Sequence, residues 1–172
     1  MSATTTQKQV AVEQLVPYLV YRHVTGENPS TDNMDNRIIW QKVGYFAKQL
    51  GMPFNEYNFS WYIRGPYSPA YTSILFSIKS NLKNILSSEE QFQLNEQASN
   101  KLTPLKRLID NQPTGTSLSI WLELLASIHF IKNDTNTNKQ QVYNKLIKEK
   151  PKLTDQVNFN NAWEMLKIEK LL

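Results

Sequence analysis

The segment from Tyr57 to Pro69, which reads YNFSWYIRGPYSP, constrains the fold more than any other part of this 172-residue chain. Its large apolar side chains recur at every second position, and this alternation predicts a half-buried strand. Gly65-Pro66 is expected to end the strand, and Ser68-Pro69 has the form of an N-cap followed by a proline in the first helical turn. The segment therefore predicts a strand, a tight turn and a helix, with Arg64 and Tyr67 presented at the tip of the corner.

Tyrosine and arginine occupy the positions of this segment that the alternation leaves outside the core. Tyr62, Arg64 and Tyr67 are expected on the other face or in the turn, and exposed Tyr and Arg are the residue types that anchor protein interfaces. The same side chains can stack on the bases of single-stranded nucleic acid. Seven of the 19 aromatic residues lie between positions 54 and 71, so core packing, a protein interface and nucleic-acid binding all stay open. The alternation assigns to the core Tyr57, Phe59 and Trp61.

Apolar residues recur at helical spacing through most of the remaining sequence. One helix is expected over 10–24, where Pro17 either kinks it or begins it. Another is expected over 39–50, with Asp35 or Asn36 as its N-cap and Gly51 as its C-cap.

The later helices are indicated by the residues at their starts. Ser88 and Gln91 match a capping box, which predicts a helix from about Glu89, and Thr103-Pro104 predicts the start of a second, short helix. Ser117 is expected to cap a helix over 118–132, which is apolar on nearly all sides and belongs at the centre of a bundle. Two more helices are expected, over 142–147, ended by Pro151, and over 159–166. The sequence thus predicts a mainly α, compact domain of about seven helices with a small β element.

Composition excludes several classes of site. The chain has no cysteine, which excludes disulfides, thiol nucleophiles and thiolate metal sites. It has no apolar run of membrane-spanning length, and residues 1–9 carry no hydrophobic signal region, so we expect a cytoplasmic protein without a membrane partner. The net charge of +4 is concentrated in 37–83 and 139–172. Such basic segments serve nucleic acid, an acidic protein partner or a solvated surface.

Motifs that would support catalysis are missing from the sequence. Neither His23 nor His129 has metal-ligand spacing, and there is no GxSxG serine and no glycine-rich phosphate loop. Glu123 lies midway along the most apolar helix, so we expect it to reach solvent or to bond Arg64 or a backbone amide. We therefore predict no catalytic, metal-binding or cofactor-binding residues. A cleft that brought Glu123, His129 and Arg64 together would instead indicate an enzyme.

Several stretches together resemble a known family. They are WQKVGYFAKQLGMPF from Trp40, YNFSWYIRGPYSP from Tyr57, WLELLASIHF from Trp121, and Lys150-Pro151 with Ala162-Trp163. Over about residues 37–170 the chain resembles the YwgA-like family of prokaryotic proteins. More distantly it is similar to Panacea-type antitoxin domains, in which a helix, an aromatic segment and a Gly-Pro turn occur in the same order. The resemblance implies a winged-helix-related domain that occurs in bacteria, archaea and their mobile elements and has no catalytic residues. The similarity to Panacea-type domains implies that the protein neutralises a toxin by direct contact.

These observations predict a non-enzymatic interaction protein that binds a protein partner and needs no cofactor. It would act as an antitoxin-like protein or as a regulator of a defence system or a mobile element. The alternative is a winged-helix nucleic-acid-binding regulator, in which the helix opened by Ser68 enters a groove and Lys79 and Lys83 lie near phosphates. Residues 1–36 are expected to form an N-terminal helix and loop, either part of the core or a docking arm, and 37–172 the helical YwgA-like domain. The partner-binding residues are predicted to be Tyr62, Arg64, Gly65, Pro66, Tyr67, Ser68 and Pro69.

Overall fold

A computed structural model describes residues 11–89 and 91–172 of the chain. In these ranges it contains eight α-helices and one antiparallel pair of short strands, so the predicted mainly helical domain with a small β element is confirmed. None of the described helices is long and apolar enough to cross a bilayer. The elements are α1 (Val12–Thr25), α2 (Met34–Gln49), β1 (Ser60–Tyr62), β2 (Gly65–Tyr67), α3 (Pro69–Ser80), α4 (Leu82–Glu89), α5 (Glu96–Asp110), α6 (Leu118–Thr135), α7 (Lys139–Glu149), a single 3₁₀ turn (Pro151–Leu153) and α8 (Gln156–Ile168).

Helix α6 is the centre of the fold, as its apolar composition predicts. It packs on α2, α7, α8 and β2, and Leu122, Leu125 and Ile128 are fully buried. Ser117 caps it as expected, with its side chain accepting from the Ile120 amide. A helix that is apolar on most sides needs neighbours on most sides, and the fold supplies them.

Helices α2 and α6 run side by side in the same direction. Near their N-terminal ends the Ser119 hydroxyl donates to the Asp35 carboxylate at 2.7 Å. Ten residues further along each helix, the Tyr45 hydroxyl lies 2.6 Å from His129 Nδ1. Because both helices advance together, their C-terminal ends meet at the same end of the domain.

The strand prediction was right in kind but wrong in extent. The strand expected from Tyr57 covers only Ser60–Tyr62, and Gly65-Pro66 opens a second strand instead of ending the first. The register Tyr62↔Gly65 leaves Ile63 and Arg64 as the turn, and Gly65, at φ 83°, provides the left-handed residue that such a hairpin needs. Ile63 is 71 % exposed because it lies in the turn and has no neighbouring strand to cover it.

Some predicted helix boundaries were wrong because a different cap is used. Asn33, not Asp35 or Asn36, caps α2 by accepting from the Asn36 amide at 2.8 Å. The predicted glycine at the other end of α2 is confirmed: Gly51 is left-handed, at φ 92°, and the Met52 amide after it donates to the Ala47 carbonyl at 3.0 Å. Ser88 lies inside α4 and does not begin a helix: its hydroxyl donates to the Asn84 carbonyl. Part of that predicted capping box, residue 90 and the Glu89 side chain, falls outside the described residues.

Helix α5 also differs from its prediction. It begins at Glu96 with Asn95 as its cap, whose side chain accepts from the Ala98 amide at 2.8 Å. It then continues through Pro104 to Asp110 as one helix, whereas the sequence predicted a second start there. Leu102, Leu105 and Leu108 are fully buried, and this packing outweighs the backbone hydrogen bond that the proline lacks.

Helix α1, from the predicted N-terminal segment, packs against α5, α2 and α3. Tyr18 and Val20 are fully buried in the common core. Pro17 lies inside the helix, which begins at Val12, so the proline does not start it. Residues 1–10 of the predicted segment 1–36 lie outside the described part of the chain.

Candidate interaction surface

The tip of the β1–β2 hairpin is an exposed surface with apolar and cationic side chains, which we call the hairpin tip: Tyr62, Ile63 and Arg64. Tyr62 is 56 % and Ile63 71 % exposed, and Arg64 is exposed beside them. The Tyr62 ring rests against that of Tyr67, with 5.2 Å between centroids. Two adjacent large side chains at this exposure, next to an exposed arginine, make the hairpin tip a candidate binding surface.

The seven predicted partner-binding residues divide between the surface and the interior. Tyr62, Arg64 and Pro69 are exposed and Tyr67 is partly exposed, whereas the other three predicted residues are buried. The buried ones are Gly65, Pro66 and Ser68. Because they are buried, they are not part of the exposed surface in this conformation.

Gln41 of α2 fixes the junction between β2 and α3. Its side-chain amide donates to the Ser68 carbonyl, and its oxygen accepts from the Ser68 amide, both at 2.9 Å. The same amide nitrogen reaches the Thr72 hydroxyl at 2.7 Å. Ser68 also caps α3 as the sequence predicted, accepting from the Tyr71 amide. This set of bonds fixes the direction in which the hairpin leaves α3.

Lys150, the residue before the 3₁₀ turn, holds the other side of the hairpin. Its buried ammonium donates to the carbonyl oxygen of Tyr62 at 3.1 Å and to that of Ile63. It also lies 4.7 Å from the centre of the Trp61 ring, within range of a cation–π interaction. Of these two carbonyl groups, that of Ile63 lies in the turn without a partner strand, and Lys150 supplies a donor to it.

A second buried lysine holds the hairpin from α2. Lys42 is 1 % exposed and donates to the Pro66 carbonyl at 2.8 Å. Burial lowers the pKa of Lys42 to about 7, and the charge of Glu123 acts in the opposite direction. Lys42 and Lys150 lie far apart in the sequence, and both donate to backbone oxygens of the same hairpin.

Glu123 of α6 is the acid that faces the two lysines. Its carboxylate lies 3.9 Å from the Lys150 ammonium, so its ion-pair partner is Lys150 and not the expected Arg64. Burial raises the pKa of Glu123, and the nearby charges of Lys150, Lys42 and Arg64 lower it in part. Burial also lowers the pKa of Lys150, while Glu123 raises it.

Shifted pKa values of this kind often mark catalytic groups, but here the ammonium groups are already bonded to the backbone. Four surface cavities lie elsewhere, and none of those four is lined by Lys42, Glu123 or Lys150. His129 contacts Tyr45 and Asn133 instead. In the described ranges no group of three or more metal-ligating side chains comes together. The contacts of Lys42 and Lys150 hold the β1–β2 hairpin against the rest of the domain.

The two lysines predicted as nucleic-acid contacts are both exposed. Lys79 lies in the last turn of α3 and Lys83 in the first turn of α4. They are therefore at the far end of α3 from the hairpin, and the first turn of α3 carries only uncharged residues.

Sequence reasoning missed three side chains of this surface: Ile63, Lys42 and Lys150. Lys42 had a signal, because it lies three residues after Ile39 and four before Phe46 and so falls within the apolar stripe of α2. A lysine at such a position must have a buried partner. Lys150 had no comparable signal, since its hydrogen-bond partners are 87 and 88 residues away in sequence.

Comparison of the chain with models of known protein families, with curated protein sequences and with solved structures gave no match.

Proposed function

We propose that the chain is a non-enzymatic interaction protein that binds a protein partner through the hairpin tip, with Tyr67 and Pro69 at its edge. One observation carries the proposal: three consecutive exposed side chains stand on a turn whose backbone carbonyls are bonded by a buried lysine. Tyrosine and arginine are enriched among the residues that contribute most to binding. Isoleucine adds an aliphatic group that can enter a pocket on the partner.

Rigidity is what distinguishes this tip from an ordinary surface loop. A loop that becomes ordered on binding loses roughly 1–2 kcal/mol of backbone conformational freedom for each residue fixed, and pre-organisation of the backbone reduces this cost. Lys42 from α2 and Lys150 from the end of α7 bond the hairpin backbone, and Gln41 of α2 bonds the backbone of Ser68 directly after it. A surface held in this way suits binding by shape and not by induced folding.

The class of partner follows from the resemblance to Panacea-type domains. On that basis the partner is a toxin or a factor of a defence system or mobile element, and the protein acts by covering a surface of it. The reaction site of the partner would be blocked without any chemistry by this chain. We place this activity in the cytoplasm.

The test is affinity capture from lysate of the source cells, with and without nuclease, followed by binding measurements on the captured partner. Ile63→Ser with Arg64→Ala removes the aliphatic and cationic groups of the tip, and we expect affinity to fall at least tenfold. The matched control is Ile168→Ser with Lys167→Ala, at the end of α8, where Ile168 is 66 % exposed. Equal affinity of the two variants for every captured partner would refute the hairpin tip as the binding surface.

A nucleic-acid-binding regulator is the second candidate, supported by the exposure of Lys79 and Lys83. Phosphate contacts release counterions, so affinity for duplex DNA would fall steeply as salt increases. Lys79→Gln with Lys83→Gln would then reduce the salt slope. A complex that survives nuclease and changes little with salt excludes this candidate.

A further inference from the structure

A small cavity lies where the C-terminal ends of α2 and α6 meet, away from the hairpin tip. Its volume is about 270 Å³, just below the roughly 300–1,000 Å³ of ordinary small-molecule sites, so it suits a headgroup better than a whole drug-sized ligand. Three of its seven lining residues are aromatic, Tyr45 from α2, Phe59 from the segment before β1, and Phe130 from α6, and the other four are polar: Lys48, Gln49, Asn133 and Asp134.

The Tyr45 ring is inclined to each of the other two rings. Tyr45 makes an angle of 77° with Phe59, at 5.7 Å between centroids, and of 48° with Phe130, at 6.4 Å. Tyr45 is buried, whereas Phe59 and Phe130 are partly exposed. Aromatic faces carry partial negative charge, and several of them around one cavity attract a cation.

The helix ends add to the same electrostatic preference. Because α2 and α6 are parallel, both C-terminal turns lie at this cavity, which is lined by Lys48 from the end of α2 and by Asn133 and Asp134 from the end of α6. Each helix C-terminus carries partial negative charge from its last carbonyl groups and favours a cation. Two such ends at one place reinforce each other.

The ionisable groups around the cavity leave one unpaired acid. The Lys48 ammonium donates to the Tyr57 carbonyl at 2.6 Å, which holds it in place and leaves its positive charge at the edge of the cavity. His129, beneath Tyr45, is neutral at physiological pH because burial lowers its pKa to about 4. Asp134 is exposed and forms no ion pair with any residue in 11–89 or 91–172. Its carboxylate is therefore available to a ligand.

We propose that the cavity formed by Tyr45, Phe59 and Phe130, with Asp134 at its rim, binds a quaternary ammonium group. Such a group has no N–H to satisfy, so aromatic walls with one carboxylate suit it better than they suit a primary ammonium. Choline-type headgroups and trimethyllysine side chains both carry this group. The site is separate from the hairpin tip and does not depend on the function proposed above.

The test is a titration of isotope-labelled protein, followed by NMR, with choline, with a peptide that carries trimethyllysine, and with the uncharged carbon analogue of choline. We expect both cations, and not the uncharged analogue, to shift signals of the last turns of α2 and α6. Tighter binding of the peptide than of choline would identify a protein ligand, and equal binding would identify the headgroup alone. Absence of binding by either cation, or equal binding of the uncharged analogue, would overturn the proposal.

Variants locate the site. Asp134→Asn, at an exposed position, is expected to weaken binding about threefold, and Phe130→Leu, which keeps an apolar group but removes the ring, about five- to tenfold. Phe130 stacks on Trp61 at 5.6 Å, so Phe59→Leu provides a second ring variant in case Phe130→Leu is poorly folded. The controls are Asp110→Asn, at the end of α5, and Phe76→Leu, an exposed ring on α3. An effect of the controls as large as that of Asp134→Asn and the ring variants would refute the site.

Discussion

Gly44, in the middle of α2, allows α3 to approach α2 closely, and Gly44→Ala tests this packing. A Cβ atom added at Gly44 would lie 2.0 Å from one carbon of the Tyr71 ring and within 2.6 Å of two more. Tyr71 is fully buried, with its ring stacked on Trp40 at 4.6 Å between centroids and 12° between planes. The ring therefore has no free space into which it could move away.

The expected magnitude comes from two opposing contributions. Alanine in a helix interior is more favourable than glycine by about 0.5–1 kcal/mol, so helix propensity alone predicts that Gly44→Ala stabilises the protein. Overpacking of a tight core costs about 1–3 kcal/mol or more. An atom 2.0 Å from a ring that cannot move belongs at the upper end of this range, so we expect a net destabilisation of about 2 kcal/mol or more.

Urea unfolding followed by circular dichroism measures the free energy of unfolding of Gly44→Ala, Tyr71→Leu and the double variant. Tyr71→Leu makes room for the new methyl group, so Gly44→Ala should cost much less in that background than in the wild type. Tyr71→Phe is the control: it keeps the ring, and its lost hydroxyl is buried without a hydrogen-bond partner in the described residues. It should be nearly neutral alone and should not relieve Gly44→Ala. Stabilisation by Gly44→Ala, or equal costs in the Tyr71→Leu and wild-type backgrounds, would refute the packing argument.

Three further predictions concern the hairpin and the buried ionisable groups. Gly65→Ala should destabilise the protein by about 1–3 kcal/mol more than Gly115→Ala in thermal or urea unfolding. Both glycines have φ 83°, but only at Gly65 does the added Cβ meet a buried atom, Ser127 Oγ at 2.8 Å. Equal costs of the two substitutions would contradict this prediction. The folded-state pKa of Lys42, about 7, lies below the ordinary value of 10.5, so between these two pH values the unfolded chain binds more protons than the folded protein. The free energy of unfolding should therefore rise by about 2 kcal/mol from pH 7 to pH 9. This rise should be missing in Lys42→Met. The pKa of His129 is likewise lowered from 6.5 to about 4 by burial, so stability should fall by about 2 kcal/mol as pH falls from 6.5 to 5; a His129→Gln variant with the same pH profile would show that this residue is not responsible.

The sequence correctly predicted those helices for which the N-cap residue and the apolar stripe indicate the same segment. Ser117 with the apolar run of α6, and Ser68-Pro69 with α3, are cases in which the cap and the buried face indicate the same element, and both predictions are confirmed. Pro104 is the opposite case, because the local signal for a new helix start was overridden by three leucines that pack along one continuous helix. Tertiary packing decided the outcome where local propensity and burial disagreed.

The hairpin tip was only partly predictable. The composition of the segment indicated an exposed Tyr and Arg near a Gly-Pro turn, and the structure places Tyr62 and Arg64 there. Alternation assigned Ile63 to the same face as Trp61, but a residue in a two-residue turn no longer follows the period of the strand. The distinction between strand and turn depended on the pairing of Tyr62 with Gly65, and pairing is not a local property of the sequence.

The two buried lysines were beyond the reach of local patterns for a physical reason. An ammonium group taken out of water has a large desolvation cost, and apolar residues at such positions are often as stable or more stable. Lysine at positions 42 and 150 is therefore poorly explained by stability alone. The carbonyls of Tyr62 and Pro66 lie in a hairpin of only two strands and that of Ile63 lies in its turn, and apolar side chains could not bond them. A long side chain with a charged donor can reach them from elements that are distant in sequence. The lysines thus hold the exposed tip in a defined position relative to α2 and to the end of α7. The surface through which we propose that the protein binds its partner therefore depends on the packing of the whole domain.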